Sequence, residues 1–214
     1  MDRMDYGQSV VTIRVLEKRL LTRNRLERMI EAETPEEVLK LLGETEYSQD
    51  MADIHGSQDY ETILKRETER VFSIVRKMVK NTAIVDILSL KYDYHNLKVL
   101  LKSKITGKDF SNLLMQAGTI DAGKFKTKFE LQSNDLPKEI IEAIIEVQKD
   151  FEENHNPQRI DILVDKHYFR NLSRLAEEID VKVITDYVEK TVTFYTGYPR
   201  KTDPLKISSP YIRE

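Results

Sequence analysis

Apolar residues recur along this chain at three- and four-residue intervals, the period of a helix buried on one face. In "VVTIRVLEKRLLTRNRLERMIEA" the residues Val10, Ile13, Leu16, Leu20 and Leu21 fall on one stripe, with Arg and Glu opposite. "TPEEVLKLLG" predicts a short helix: Thr34 as N-cap, Pro35 as first residue, Glu37 as capping-box partner and Gly43 as the stop. Residues 47–57 are polar and predict a loop. "YETILKRETERVFSIVRKMVK" then predicts a long helix carrying Ile63, Leu64, Val71, Ile74, Val75 and Met78. A further helix is expected from roughly Thr82 to Ser103. "ITGKDFSNLLMQAG" repeats the start signal, with Thr106 three residues before Asp109, and predicts a helix ending at Gly118.

Residues 119–135 are less regular. "LPKEIIEAIIEVQKDFEEN", "NPQRIDILVDKHYFRNLSRLAEEI" (Asn156 as N-cap, Pro157 as first residue) and "VKVITDYVEKTVTFYTGY" complete the helical set. Sustained period-two alternation and Asn-Gly or Asp-Gly hairpin signals are missing. The expected fold class is all-α, with few or no strands. Pro199, Pro204 and Pro210 stop any regular helix, so residues 199–214 are expected to be an extended or disordered tail.

Composition narrows the classes. Of 214 residues, 34 are Lys or Arg and 37 are Asp or Glu, a net charge of −3, so no overall field favours nucleic acid. Within "EKRLLTRNRLER" and "KRETER" acids interleave with bases and give i,i+4 pairs rather than a basic stripe. The basic cluster with interleaved aromatics, "KFKTKF" at 124–129, is too short to carry a nucleic-acid site. Cysteine is absent, which excludes disulfides and thiolate metal sites and fits a cytosolic compartment. "MDRMDYGQSV" has no apolar core and does not read as a secretory signal. The most apolar patch, "EIIEAIIEVQ", is interrupted by Glu142 and Glu146, well short of a membrane span.

Candidate chemistry is sparse. Gly118, Gly123 and Lys124 in "GTIDAGKF" match phosphate-loop spacing, but Phe125 stands where a Ser or Thr must bind Mg²⁺. A helix stop followed by a turn accounts for these glycines. His55, His95, His155 and His167 lack metal-ligand spacing, and no G-x-S-x-G elbow is present. No catalytic, cofactor-binding or metal residues are assigned.

"LKYDYHNLKVLLKSK" at 90–104 invites an Asp–His pairing. On a helix, however, Asp93 and His95 point about 200° apart. Leu90, Tyr94, Leu97 and Leu101 form an apolar stripe, while Lys91, His95, Lys98 and Lys102 form a basic, wet face. Asp93 and Asn96 are i,i+3 neighbours bordering the stripe, where an unpaired carboxylate is costly. They are expected to act as a polar interhelical clamp.

Together the segments 12–47, 90–104 and "PQRIDILVDKHYFRNLSRLAEE" at 157–178 resemble, in order and spacing, the C subunit of prokaryotic V/A-type ATPases, the counterpart of the d subunit of eukaryotic V-ATPases. The resemblance extends over about residues 6–190. It implies a non-catalytic connector, a funnel of three similar helical bundles, peripheral on the cytoplasmic face of the membrane. The central stalk and the membrane rotor ring would be its partners, and no cofactor would be needed. Two echoes agree with tandem bundles. "VDILSLKYDYHNLK" is echoed by "TDYVEKTVTFYTGY", with Asp93 and Asn96 falling on Thr193 and Thr196, and "EKRLLTRNRLERMIEA" is echoed by "DKHYFRNLSRLAEE". The expected organisation is a first bundle at 1–105, a second at 106–198 and the tail, two of the family's three bundles in a C-terminally incomplete chain. A helical nucleotide-dependent enzyme using Lys124 is the alternative, beside a generic helical scaffold.

Overall fold

A computed structural model describes residues 7–51, 56 and 59–196. Among these residues nine α-helices form and no strand does. Contacts divide the chain into two units between Thr82 and Ala83.

The first unit contains α1 (Gly7–Glu17), α2 (Arg23–Ile30), α3 (Pro35–Gly43), a 3₁₀ turn (Glu46–Met51) and α4 (Tyr60–Met78). The stripe running from Val10 predicts one continuous helix, but the structure breaks it at residues 18–22. Thr22 is extended and its hydroxyl accepts from the Arg25 amide at 3.4 Å, so a new helix begins there. Thr34 caps α3 in the same way, accepting from Glu37 N at 3.3 Å, with Pro35 in the first turn. The Glu37 carboxylate reaches one residue beyond the cap, to Glu33 N at 3.1 Å. The 3₁₀ turn packs on both α3 and α4, and the Ser9 hydroxyl donates to the Met78 carbonyl. Ile63 is the buried apolar side chain of this unit among the described residues.

The second unit contains α5 (Ala83–Thr106), α6 (Ala122–Glu130), α7 (Lys138–Asn154), α8 (Gln158–Ile179) and α9 (Lys182–Thr196). Helix α8 packs on α5, α7 and α9, while α5 also touches α6 and α7. Leu97 and Leu101 of α5 meet Val164 and Leu172 of α8, Phe125 of α6, Ala143 of α7 and Val188 of α9 in one buried cluster. Helix α5 is buried around most of its circumference, and this explains why its hydrophobic residues do not form a single narrow stripe. The same burial places α5 with the residues that follow it. The expected first bundle ended at 105; the contacts instead divide the chain ahead of α5.

The helix expected at 106–118 does not form. Gly107, at φ 68°, closes α5, and only Ser111–Leu113 make a short 3₁₀ turn before an irregular connector reaches α6. Asp109 accepts from the amide of Ser111 at 2.9 Å, a local turn that competes with helix. At the start of α8 the Asn156 side chain accepts from Gln158 N at 3.0 Å, so the helix begins one residue later than expected. The 199–214 tail and the last two residues of the expected second bundle lie outside the described residues, as does His55.

Candidate functional site

The connector at 113–121 lies along α5 and meets its polar positions. Asp93 is 1% exposed and Asn96 is fully buried. The Asn96 amide donates to the Met115 carbonyl and its carbonyl oxygen accepts from the Met115 amide, both at 2.8 Å. This orientation satisfies donor and acceptor at once; the flipped amide would satisfy neither. Asp93 accepts from Thr119 N at 3.0 Å, Thr119 Oγ1 at 2.6 Å and Ile120 N at 3.0 Å. Those bonds satisfy backbone groups that no helix or strand would pair. The partners lie in the connector between α5 and α6, and not on a second helix.

Gly118 is dictated by the same carboxylate. A Cβ there would stand 2.2 Å from Asp93 Oδ1, inside any tolerable contact. The Asp93 carboxylate, and not the helix stop expected from sequence, accounts for Gly118. His95 reaches the connector separately, through Nε2 to the Leu113 carbonyl at 2.9 Å. Asp93 and His95 do not meet.

The resemblance to a phosphate loop around Lys124 does not extend to geometry. The preceding connector contains no strand. Asp121 caps α6, its carboxylate accepting from Lys124 N at 2.8 Å, and Gln116 Oε1 accepts from Ala122 N at 3.1 Å. Side chains thus occupy amides that a phosphate would need. Phe125 is wholly buried in the core.

Ion pairs across helix junctions were not legible in the chain. Lys98 and Lys102, expected on a wet face, instead reach α8. Lys98 Nζ lies 2.7 Å from Asp165 and Lys102 Nζ 2.8 Å from Asp161. Between α7 and α8, Arg159 grips Asp150 with Nε and Nη2, at 2.7–3.0 Å. The Arg159 hydrogen bonds hold the Asp150 carboxyl below its usual range. Arg174 lies 2.9 Å from Glu139. Glu146 accepts from Lys166 at 2.7 Å and pairs with the buried His167 ring at 2.8 Å. Partial burial opposes the charge on Glu146, but Lys166 and His167 together outweigh it and keep its pKa low. His167 and Glu146 are distant in sequence; the visible hint was the acidic residue interrupting an apolar run. Tyr94, pushed up by burial, stays protonated, and Asn171 donates to its oxygen at 3.2 Å.

These polar groups fasten backbone and helices together. Among the described residues no cluster of three or more His, Asp or Glu is placed to hold a metal ion. No described helix is long and apolar enough to cross a membrane.

Comparison with known proteins places this architecture. Residues 9–195 match the ATP synthase (C/AC39) subunit family. The C subunit of the V-type sodium ATPase of Enterococcus hirae is 29% identical over 177 residues, 82% of this chain and 54% of that protein. The C subunit of the V-type ATP synthase of Thermus thermophilus is 25% identical over 157 residues, 70% of this chain and 48% of that protein. The chain spans about half the length of these relatives. With a match covering most of its length, the chain belongs to the ATP synthase (C/AC39) subunit family.

Proposed function

We propose that this chain is a non-catalytic connector that couples the central stalk of a rotary V/A-type ATPase to its membrane rotor ring. The match over residues 9–195 carries this reading, because the relatives it aligns with are the C subunits of a sodium ATPase and of an ATP synthase. The chain would sit peripherally on the cytoplasmic face, held by its partner subunits, and serve proton or sodium transport linked to ATP hydrolysis or synthesis.

The physical task of such a part is to carry torque without shearing. Cross-helix pairs such as Lys98–Asp165 and Arg159–Asp150 suit that task, as does the interlocked core of the second unit. Asp93 and Asn96 act in this reading as clamps that hold the connector against α5. Affinity purification of the tagged chain from its own cells tests the assignment. Stalk and ring subunits are expected in the eluate in fixed ratio, and their absence under conditions that keep the motor intact would sink it. The purified chain alone is expected to turn over no ATP, whereas sustained turnover would revive the enzyme alternative at Lys124.

A further inference from the structure

Between the end of α5 and α6, which packs on it, lies an open cleft of about 550 Å³. That volume lies within the range of small-molecule sites. Three lysines line it from separate stretches: Lys104 in the last turn of α5, Lys108 just beyond Gly107, and Lys126 on α6. Ser103 and Ser111 supply hydroxyls, and Phe129 supplies an apolar wall.

The charge balance of this cleft differs from that of the helix junctions in the second unit. At the α5–α8 and α7–α8 junctions the cations Lys98, Lys102, Arg159 and Lys166 all lie within 2.7–2.8 Å of a carboxylate. In the cleft, neither Lys104 nor Lys108 forms an ion pair with a described residue; Lys104 lies over the Phe129 ring, 5.8 Å from its centroid. Lys126 makes its short bond to the neutral Ser111 hydroxyl at 2.7 Å. Its carboxylate neighbours are more distant, Asp109 at 4.0 Å and Glu130 at 3.9 Å. Asp109 is already engaged by the Ser111 amide and hydroxyl. A helix C-terminus favours a lysine such as Lys104, but that effect does not account for Lys126 on another helix. Three ammonium groups against two carboxylates leave an excess of positive charge over a partly apolar floor.

The geometry points to a binding site for a phosphate-bearing anion in this cleft, with Lys104, Lys108 and Lys126 as its cationic contacts. Lysine recognises phosphate as a point charge without demanding fixed geometry. The source could be a soluble phosphorylated compound or a lipid headgroup, and the chemistry of the contact is the same.

Titration calorimetry of the full chain with pyrophosphate at low ionic strength provides the test. Saturable binding is expected, weakened about tenfold by K108Q or K126Q, the loss of one charge-assisted contact. The Lys108 side chain makes no hydrogen bond or ion pair with a described residue, so K108Q is expected to leave folding intact, which helix content by circular dichroism verifies. K124Q removes an α6 lysine that does not line the cleft and is expected to leave affinity unchanged. In a second arm, sedimentation with phosphatidylglycerol vesicles, displaced by pyrophosphate and reduced by K108Q, would assign the headgroup as a source. Pyrophosphate binding without vesicle binding would assign a soluble one. No binding in either arm overturns the site, as does an equal loss with K124Q, which would reveal diffuse surface charge.

Discussion

The two units of this chain contain the same kind of amphipathic sequence and bury it very differently. In the second, Leu97, Leu101, Phe125, Val164 and Leu172 are at most 1% exposed, and α5 is surrounded. In the first, Leu20 is 69% exposed and Ile30 82%, and Val10, Val11 and Val15 are exposed as well. An apolar stripe specifies that a helix has a face to cover; it does not specify that the same chain covers it. Polar groups differ in parallel. The second unit anchors its longest connector by burying Asp93 and Asn96, whereas the caps Thr22 and Thr34 and the Arg19–Glu46 pair of the first unit are exposed.

Substitutions at matched leucines should widen this contrast most. Leu97→Ala removes a fully buried side chain and is expected to destabilise the chain by about 3 kcal/mol. Leu20→Ala is expected to cost under about 0.5 kcal/mol. Chemical denaturation followed by circular dichroism measures both, and equal losses would erase the distinction between the units. Asp93→Ala comes next. It leaves the Thr119 and Ile120 amides and the Thr119 hydroxyl without this acceptor and is expected to cost about 2–3 kcal/mol. An unchanged melting temperature would remove the clamp role.

Gly118→Ala should be milder, about 1–2 kcal/mol, because the connector has some room to shift. Its penalty should shrink in an Asp93→Ala background, where the blocking carboxylate is gone. A double-mutant cycle reads that coupling, and strict additivity would contradict it. The smallest effect is electrostatic. The Asp150 carboxyl is held below its ordinary value by Arg159, so its contribution is present above the unfolded pKa near 4 and is lost as pH falls through the lower folded value. The melting-temperature gap between wild type and Asp150→Asn is therefore expected to close as pH is lowered below about 5. A gap that persists undiminished at the lowest pH would discount the pair.

Helix identity was largely legible because period and caps agree: Thr34 before Pro35 caps α3, and the apolar spacing of α4, α7 and α8 is sustained. Residues 106–118 misled because Thr106, Asp109 and Gly118 imitate helix punctuation. Asp109 instead closes a local turn, and Gly118 answers to Asp93, a contact made across the fold. Asp93 and Asn96 stood out as polar residues beside an apolar stripe. Their partners could not be read, since backbone amides carry no signature in sequence. The Glu146–His167 and Lys98–Asp165 pairs were hidden for a similar reason: each joins helices whose mutual register only packing determines.

The connector role is tested most directly by reconstitution. A rotary ATPase stripped of its own connector, assembled in vesicles with or without this chain, would be assayed for ATP-driven ion uptake alongside ATP hydrolysis. Uptake restored only when the chain is added, with hydrolysis present in both cases, is the expected result. Uptake that is the same with and without the chain would contradict the account.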